Sequence, residues 1–245
     1  MPDLGHDEEE RARAESGPAP ESRLSRRQMM TASAIAAGAG LTSVSACSST
    51  GSEPGAAGGG QAVSLGDSGT TTVEFRGRVT QSAQSFTSYG YLTRASHTHE
   101  SDLFSGSPLS EKTALLTAYA TGGLRARTTD DVVHALDIVG TMTVYQRSSP
   151  GASFSDPSSF KAGTPVGRYD MTLQDILTVI ATNTGLPTLT GDMLQTSAHA
   201  LSGPLSSQTF GRTGTRLRFF ATGLGHKTDD APTAQLEIAG NWSVE

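Results

Sequence analysis

A duplicated segment constrains what this chain can fold into more than any other feature. The run Leu136-Asp137-Ile138-Val139-Gly140-Thr141-Met142-Thr143-Val144 returns about 100 residues later as Leu236-Glu237-Ile238-Ala239-Gly240-Asn241-Trp242-Ser243-Val244. Upstream of the two copies stand Ala120-Thr121-Gly122-Gly123 and Ala221-Thr222-Gly223-Leu224-Gly225, then Thr129-Asp130-Asp131 and Thr228-Asp229-Asp230. Each copy therefore reads as strand, Gly- and Asp-rich turn, strand: a β-hairpin. In both second strands, large apolar residues alternate with polar or small ones, the period of a half-buried strand. One row holds Leu136, Ile138, Met142 and Val144; its counterpart holds Leu236, Ile238, Trp242 and Val244. Gly140 and Gly240 interrupt the two rows at the same place, where a curved sheet needs a kink. A hairpin repeated at this distance fits a barrel closed from two similar halves.

The same period runs through the rest of the chain after residue 70. Val73, Phe75 and Val79 face one way, and Glu74, Arg76 and Arg78 the other. Further strand-like runs lie near residues 86–94, 113–127, 131–146, 165–182, 188–199, 214–225 and 232–244, separated by turns such as Ser148-Ser149-Pro150-Gly151. Leu173, Ile176, Leu177 and Ile180 have helical spacing, but the β-branched Thr178, Val179, Ile180 and Thr182 favour a strand. The expected fold of residues 71–245 is thus all-β, a single antiparallel barrel of about eight strands, with a β-sandwich as the alternative. About 200 residues follow the leader described below, enough for one such domain with a core. In a closed barrel the two apolar rows point inward, and they either fill the interior or line a cavity for one small ligand.

The region from about Val73 to Val244 resembles the allene-oxide-cyclase-like barrel, a fold shared with plant dirigent proteins. Tyr89-Gly90-Tyr91-Leu92-Thr93 with Leu103-Phe104, Gly140-Thr141-Met142-Thr143-Val144-Tyr145, and the closing hairpin from Gly214 to Val244 carry the resemblance. It implies eight antiparallel strands around a largely apolar cavity. No cyclase functional residue matches a position here, so activity does not transfer with the fold.

Ahead of the barrel, Ser25 to Cys47 reads as an export leader. Arg26 and Arg27 precede a mildly apolar, uncharged run from Thr31 to Ala46, too short and too weakly hydrophobic to span a bilayer. Paired arginines in that position resemble a twin-arginine signal. Val44-Ser45-Ala46-Cys47 resembles a bacterial lipobox, in which the Cys receives a diacylglycerol and becomes the mature N-terminus. Cys47 is the only cysteine in the chain, which excludes an intrachain disulfide as its purpose. Two acyl chains anchor stably where one would not. Residues 1–46 are accordingly a disordered extension plus signal, and 47–70 a lipidated Cys with a Gly/Ser-rich tether. The expected location is the outer face of the cytoplasmic membrane, with soluble secretion after cleavage at Ala46 as the alternative.

Chemistry is harder to find. The formal charge is −6 without a basic patch, which argues against nucleic-acid binding. His97 and His99 could project from one side of an extended chain as metal ligands. The pair is similar to the His-x-His of the cupin family, which carries a Glu three or four residues beyond the second His, but Leu103 and Phe104 hold those positions here. A polar loop is the plainer reading. Asp130-Asp131 and Asp229-Asp230 suit hairpin turns, and His134, His199 and His226 stand alone. Gly66-Asp67-Ser68-Gly69 imitates the nucleophile motif of chymotrypsin-like serine proteases, but upstream of Ser68, where that family places its His and Asp, lie only the tether, the signal and the N-terminal tail. No catalytic residue and no cofactor are assigned. The sequence favours a barrel that binds a small apolar or aromatic molecule or a surface partner. An isomerase or cyclase of the barrel's type and a purely structural envelope module are the alternatives.

Overall fold

The computed structural model describes residues 61–62, 71–227 and 233–245. Arg26, Arg27 and Cys47 lie outside the described residues, as do the tetrapeptide at 66–69 and the Asp229-Asp230 turn. The strands are β1 (Gln61–Ala62), β2 (Thr71–Gln81), β3 (Ser85–Ala95), β4 (Leu116–Asp130), β5 (Val133–Gln146), β6 (Thr164–Ala181), β7 (Thr184–Ala198), β8 (Gln208–Thr209), β9 (Arg216–Lys227) and β10 (Ala234–Val244). A single helical turn, α1 (Glu100–Leu103), follows β3.

Eight strands close an antiparallel barrel in the order β10-β2-β3-β4-β5-β6-β7-β9, which excludes the sandwich. The meander is sealed by β10 pairing with β2. Gln61-Ala62, within the stretch read as a tether, run parallel to β8 as a separate small ribbon. No helix among the described residues is long and apolar enough to cross a membrane.

β5 and β10 stand four places apart round the eight-membered ring, so the duplicated hairpins occupy opposite walls. Gly140 and Gly240 hold equivalent inward positions. A Cβ at either would collide with a carbonyl oxygen of the next strand, Thr121 or Phe220 respectively. Close backbone approach, rather than any unusual dihedral, is what requires glycine there. The first strands of the hairpins match less simply. Gly140 pairs with Gly122, but Gly240 pairs with Ala221. The Ala-Thr-Gly similarity is therefore two residues out of step with the ladder, a full pleat that leaves the faces unchanged.

Alternation sets the wall. Val73, Phe75 and Val79 are buried inside, while Arg76 is exposed and Glu74 and Arg78 are half-exposed outside. Arg78 pairs with Glu237 at 2.7 Å and Arg94 with Glu74 at 2.9 Å across neighbouring strands. Such exposed pairs contribute little stability. The outer face is mixed: these charges stand on β2, β3 and β10, while Leu186 and Leu194 on β7 and Phe220 and Leu224 on β9 are exposed. β6 is a strand throughout. Its helical spacing was an overlay of two faces: Leu173 is buried inside, whereas Ile180 is exposed outside.

The two ends of the barrel differ. All three long connections, residues 96–115, 147–163 and 199–215, emerge at one end. Leu103, Phe104, Leu201, Leu205 and Phe210 from the first and third join the core and close that end. Buried Gln195 ties the third in place, donating to the Phe210 carbonyl at 2.7 Å and accepting from the Arg212 amide at 3.1 Å. The second connection lies on the outside of β3 and β4, where Ala152, Phe154 and Phe160 pack on Tyr89 and Tyr119. Thr117 Oγ1 donates to the Phe160 carbonyl at 2.8 Å. At the opposite end the turns after β2, β4 and β6 are short. Asp131 and Asn183, with φ of 47° and 56°, sit at two of those tips, where side chains that bond their own backbone tolerate the left-handed region.

Candidate functional site

The interior is nearly full. Phe75 stacks on Phe219 with ring centroids 5.4 Å apart and on Trp242 at 5.7 Å. The gap beside these rings is about 40 Å³, room for a water or two and too small for an organic ligand. Of the two apolar rows, Met142, Ile238 and Trp242 border this gap. Leu136, Ile138 and Val144 are buried in the packed wall, and Val244 is half-buried against the core. Leu236 borders a different and larger space.

That space is a pocket of about 430 Å³ at the end with the short turns, within the usual range of small-ligand clefts. Its apolar part is Leu177 and Val179 from β6 and Leu236 from β10. Gly185 and Gly225 pair across β7 and β9. A Cβ on Gly185 would lie 2.8 Å from Leu177 Cδ1, and one on Gly225 2.5 Å from Leu236 Cδ2. The missing side chains thus make room for the two leucines that form the floor. Around the rim stand Arg127, His134, His226 and Lys227. His134 Nδ1 lies 3.1 Å from Thr129 Oγ1.

Beneath this pocket lies the most unusual side chain in the barrel. Asp175 points inward from β6, two residues along from Leu177, between Leu136 on β5 and Leu189 on β7. It is 1% exposed, and neither carboxylate oxygen has a hydrogen-bond partner among the described residues. Burial raises its pKa to about 6, against a smaller lowering from the Thr188 backbone amide, which falls outside hydrogen-bond geometry. Without a partner, a buried carboxylate avoids the cost of its charge by holding its proton. Tyr169 Oη and Trp242 Nε1 are also buried without partners, and burial pushes the Tyr169 pKa upward.

His97 and His99 are exposed, and His97 has a φ of 62°. The chain turns there, so the shared-side geometry of an extended segment does not arise. Instead the His99 amide donates to Asp102 at 2.8 Å at the start of α1. No group of three or more His, Cys, Asp or Glu able to hold a metal occurs among the described residues. His134 and His226, which stand alone in the sequence, both border one pocket, while His199 lies at the closed end. The period of two puts His134 in the inward row of β5 but His226 in the outward row of β9, so only the barrel's closure brings both to one opening.

No protein-family model, curated protein or solved structure matches the chain.

Proposed function

We propose that this chain is an exported lipoprotein, anchored through Cys47 at the outer face of the cytoplasmic membrane, whose barrel binds a small apolar molecule at its open end. The pocket of about 430 Å³ floored by Leu177, Val179 and Leu236 carries the binding part of this reading. The gap of about 40 Å³ beside Trp242 is too small for a ligand, which favours the mouth over the barrel's centre. A neutral naphthylamine dye added to the unlipidated full chain (Cys47→Ser) tests it. Dye fluorescence should rise on binding, and Val179→Trp, which fills the pocket from a half-exposed position, should abolish the rise. An undiminished signal in that variant would place the site elsewhere.

The address rests on the leader sequence. Cys47→Ala should shift the protein from the membrane fraction to the soluble exported fraction, because two acyl chains supply nearly all the affinity. Replacing Arg26 and Arg27 with Lys should leave the protein in the cytoplasm. Fractionation followed by immunoblotting reads both results. Membrane retention of Cys47→Ala, or export of the double-Lys variant, would refute the corresponding half.

An isomerase or cyclase is the second reading, and Asp175 is the observation in its favour. Its carboxyl, pushed up to about 6 by burial, lies one pleat below the pocket floor, so proton transfer to a bound molecule needs Leu177 to move aside.

A further inference from the structure

We infer that the outer face of β7 and β9 rests on the lipid surface, so that the anchored barrel lies on its side rather than turning freely on its tether. This rests on the reading that Cys47 carries acyl chains, and it adds which wall meets the bilayer. Ile176 on β6, Leu186 and Thr188 on β7, and Phe220, Thr222 and Leu224 on β9 form one outward block without a charge. Phe220 is 41% exposed, Leu186 43% and Leu224 40%. The Thr222 hydroxyl donates to the Pro187 carbonyl at 3.0 Å, so the sheet already satisfies it. The walls of β2 and β3 carry Glu74, Arg76, Arg78 and Arg94 on their outer faces instead.

Size and point of entry decide what covers this block. Three strands by three same-face positions make a footprint on the order of 200–300 Å², from the spacings within a sheet. A stable dimer buries about 800 Å² on each partner, so the block is too small to hold a second copy. A bilayer asks less of it, because the acyl chains supply the affinity and the block has only to select an orientation. The chain also enters on this side. β8 belongs to the connection that joins β7 to β9, and Gln61-Ala62 pair with it. Residues 48–60 alone separate that ribbon from Cys47, and a Gly/Ser-rich chain of this length reaches about 20 Å on average. The β7–β9 wall is thereby held near the headgroups, where exposed apolar side chains leave water at the boundary with the acyl chains.

The exported, lipidated protein in phosphatidylcholine vesicles tests the inference, with a nitrobenzoxadiazole maleimide on one introduced cysteine. Acylation blocks the Cys47 sulfur, so the introduced thiol is the one that reacts. Thr190→Cys places the label beside Phe220, and Thr121→Cys places it on the exposed outer face of β4, four places round the ring from β9. Nitroxide-bearing lipids should quench the label several-fold more strongly at position 190 than at position 121. Phe220→Ser/Leu224→Ser, which leaves the core untouched, should abolish that difference. High salt should preserve it, because the contact is apolar. Equal quenching at the two positions, or a difference that survives in the serine variant, would overturn the inference and leave the anchor standing. Labelling of the chain without an introduced cysteine, which reveals a free Cys47 thiol, or failure to join the vesicles would overturn both.

Discussion

Trp242→Ala is expected to lower the unfolding free energy by about 3–5 kcal/mol, a large share of the ~5–15 kcal/mol that holds a domain folded. Trp242 is 1% exposed and stands on the inward row of the strand that seals the ring. Its indole stacks on Phe75 at 5.7 Å and tilts against Tyr169 at 6.1 Å, so truncation removes the centre of an aromatic column. The gap already beside it is small, and rigid strands on all sides limit collapse. Asn241, the preceding residue, faces outward, and Asn241→Ala should cost well under about 1 kcal/mol. Denaturant melts of the full-length variants compare the two. Equal losses would contradict the alternation on which the barrel's inside and outside depend.

The second large effect depends on pH. Asp175 titrates near 6 when folded and near 3.8 as a free side chain. Between those values the folded state binds more protons than the unfolded state, so stability falls as pH rises from about 4 to about 6 and then levels off. The loss is on the order of 3 kcal/mol, the equivalent of about two pKa units. Asp175→Asn mimics the protonated acid and should erase that slope, making the variant more stable than the wild type at neutral pH but not at pH 4. Thermal melts across the range would show two curves that meet on the acid side and diverge above it. Parallel curves would mean that water or a cation reaches the carboxylate.

The architecture was legible because burial on one face leaves a period of two, and each expected strand falls within or beside an observed one. The duplicated hairpin also foretold a ring of two halves. Legibility failed where a residue's character opposed its position. Asp175 follows Leu173 in the inward row, yet an acid amid apolar residues reads as the solvent side of a strand. Tyr89 and Tyr91 point outward and are covered by Phe154 from a turn-rich segment that shows no periodicity of its own. The pocket escaped for another reason. Its rim comes from His134, His226, Arg127 and Lys227 on different hairpins, and only closure of the ring brings strand ends so far apart in sequence to one opening.

The pairing of Ser243 with Thr71 places the last barrel strand beside the first. Circular permutation follows as a natural property of this topology. A short bridge from Val244 to Thr71, with new termini at the exposed Ser149-Pro150-Gly151 stretch, would exchange the order of the two halves along the chain while keeping the neighbours of all eight barrel strands. Which half is synthesised first is, for this ring, a matter of history rather than of structure.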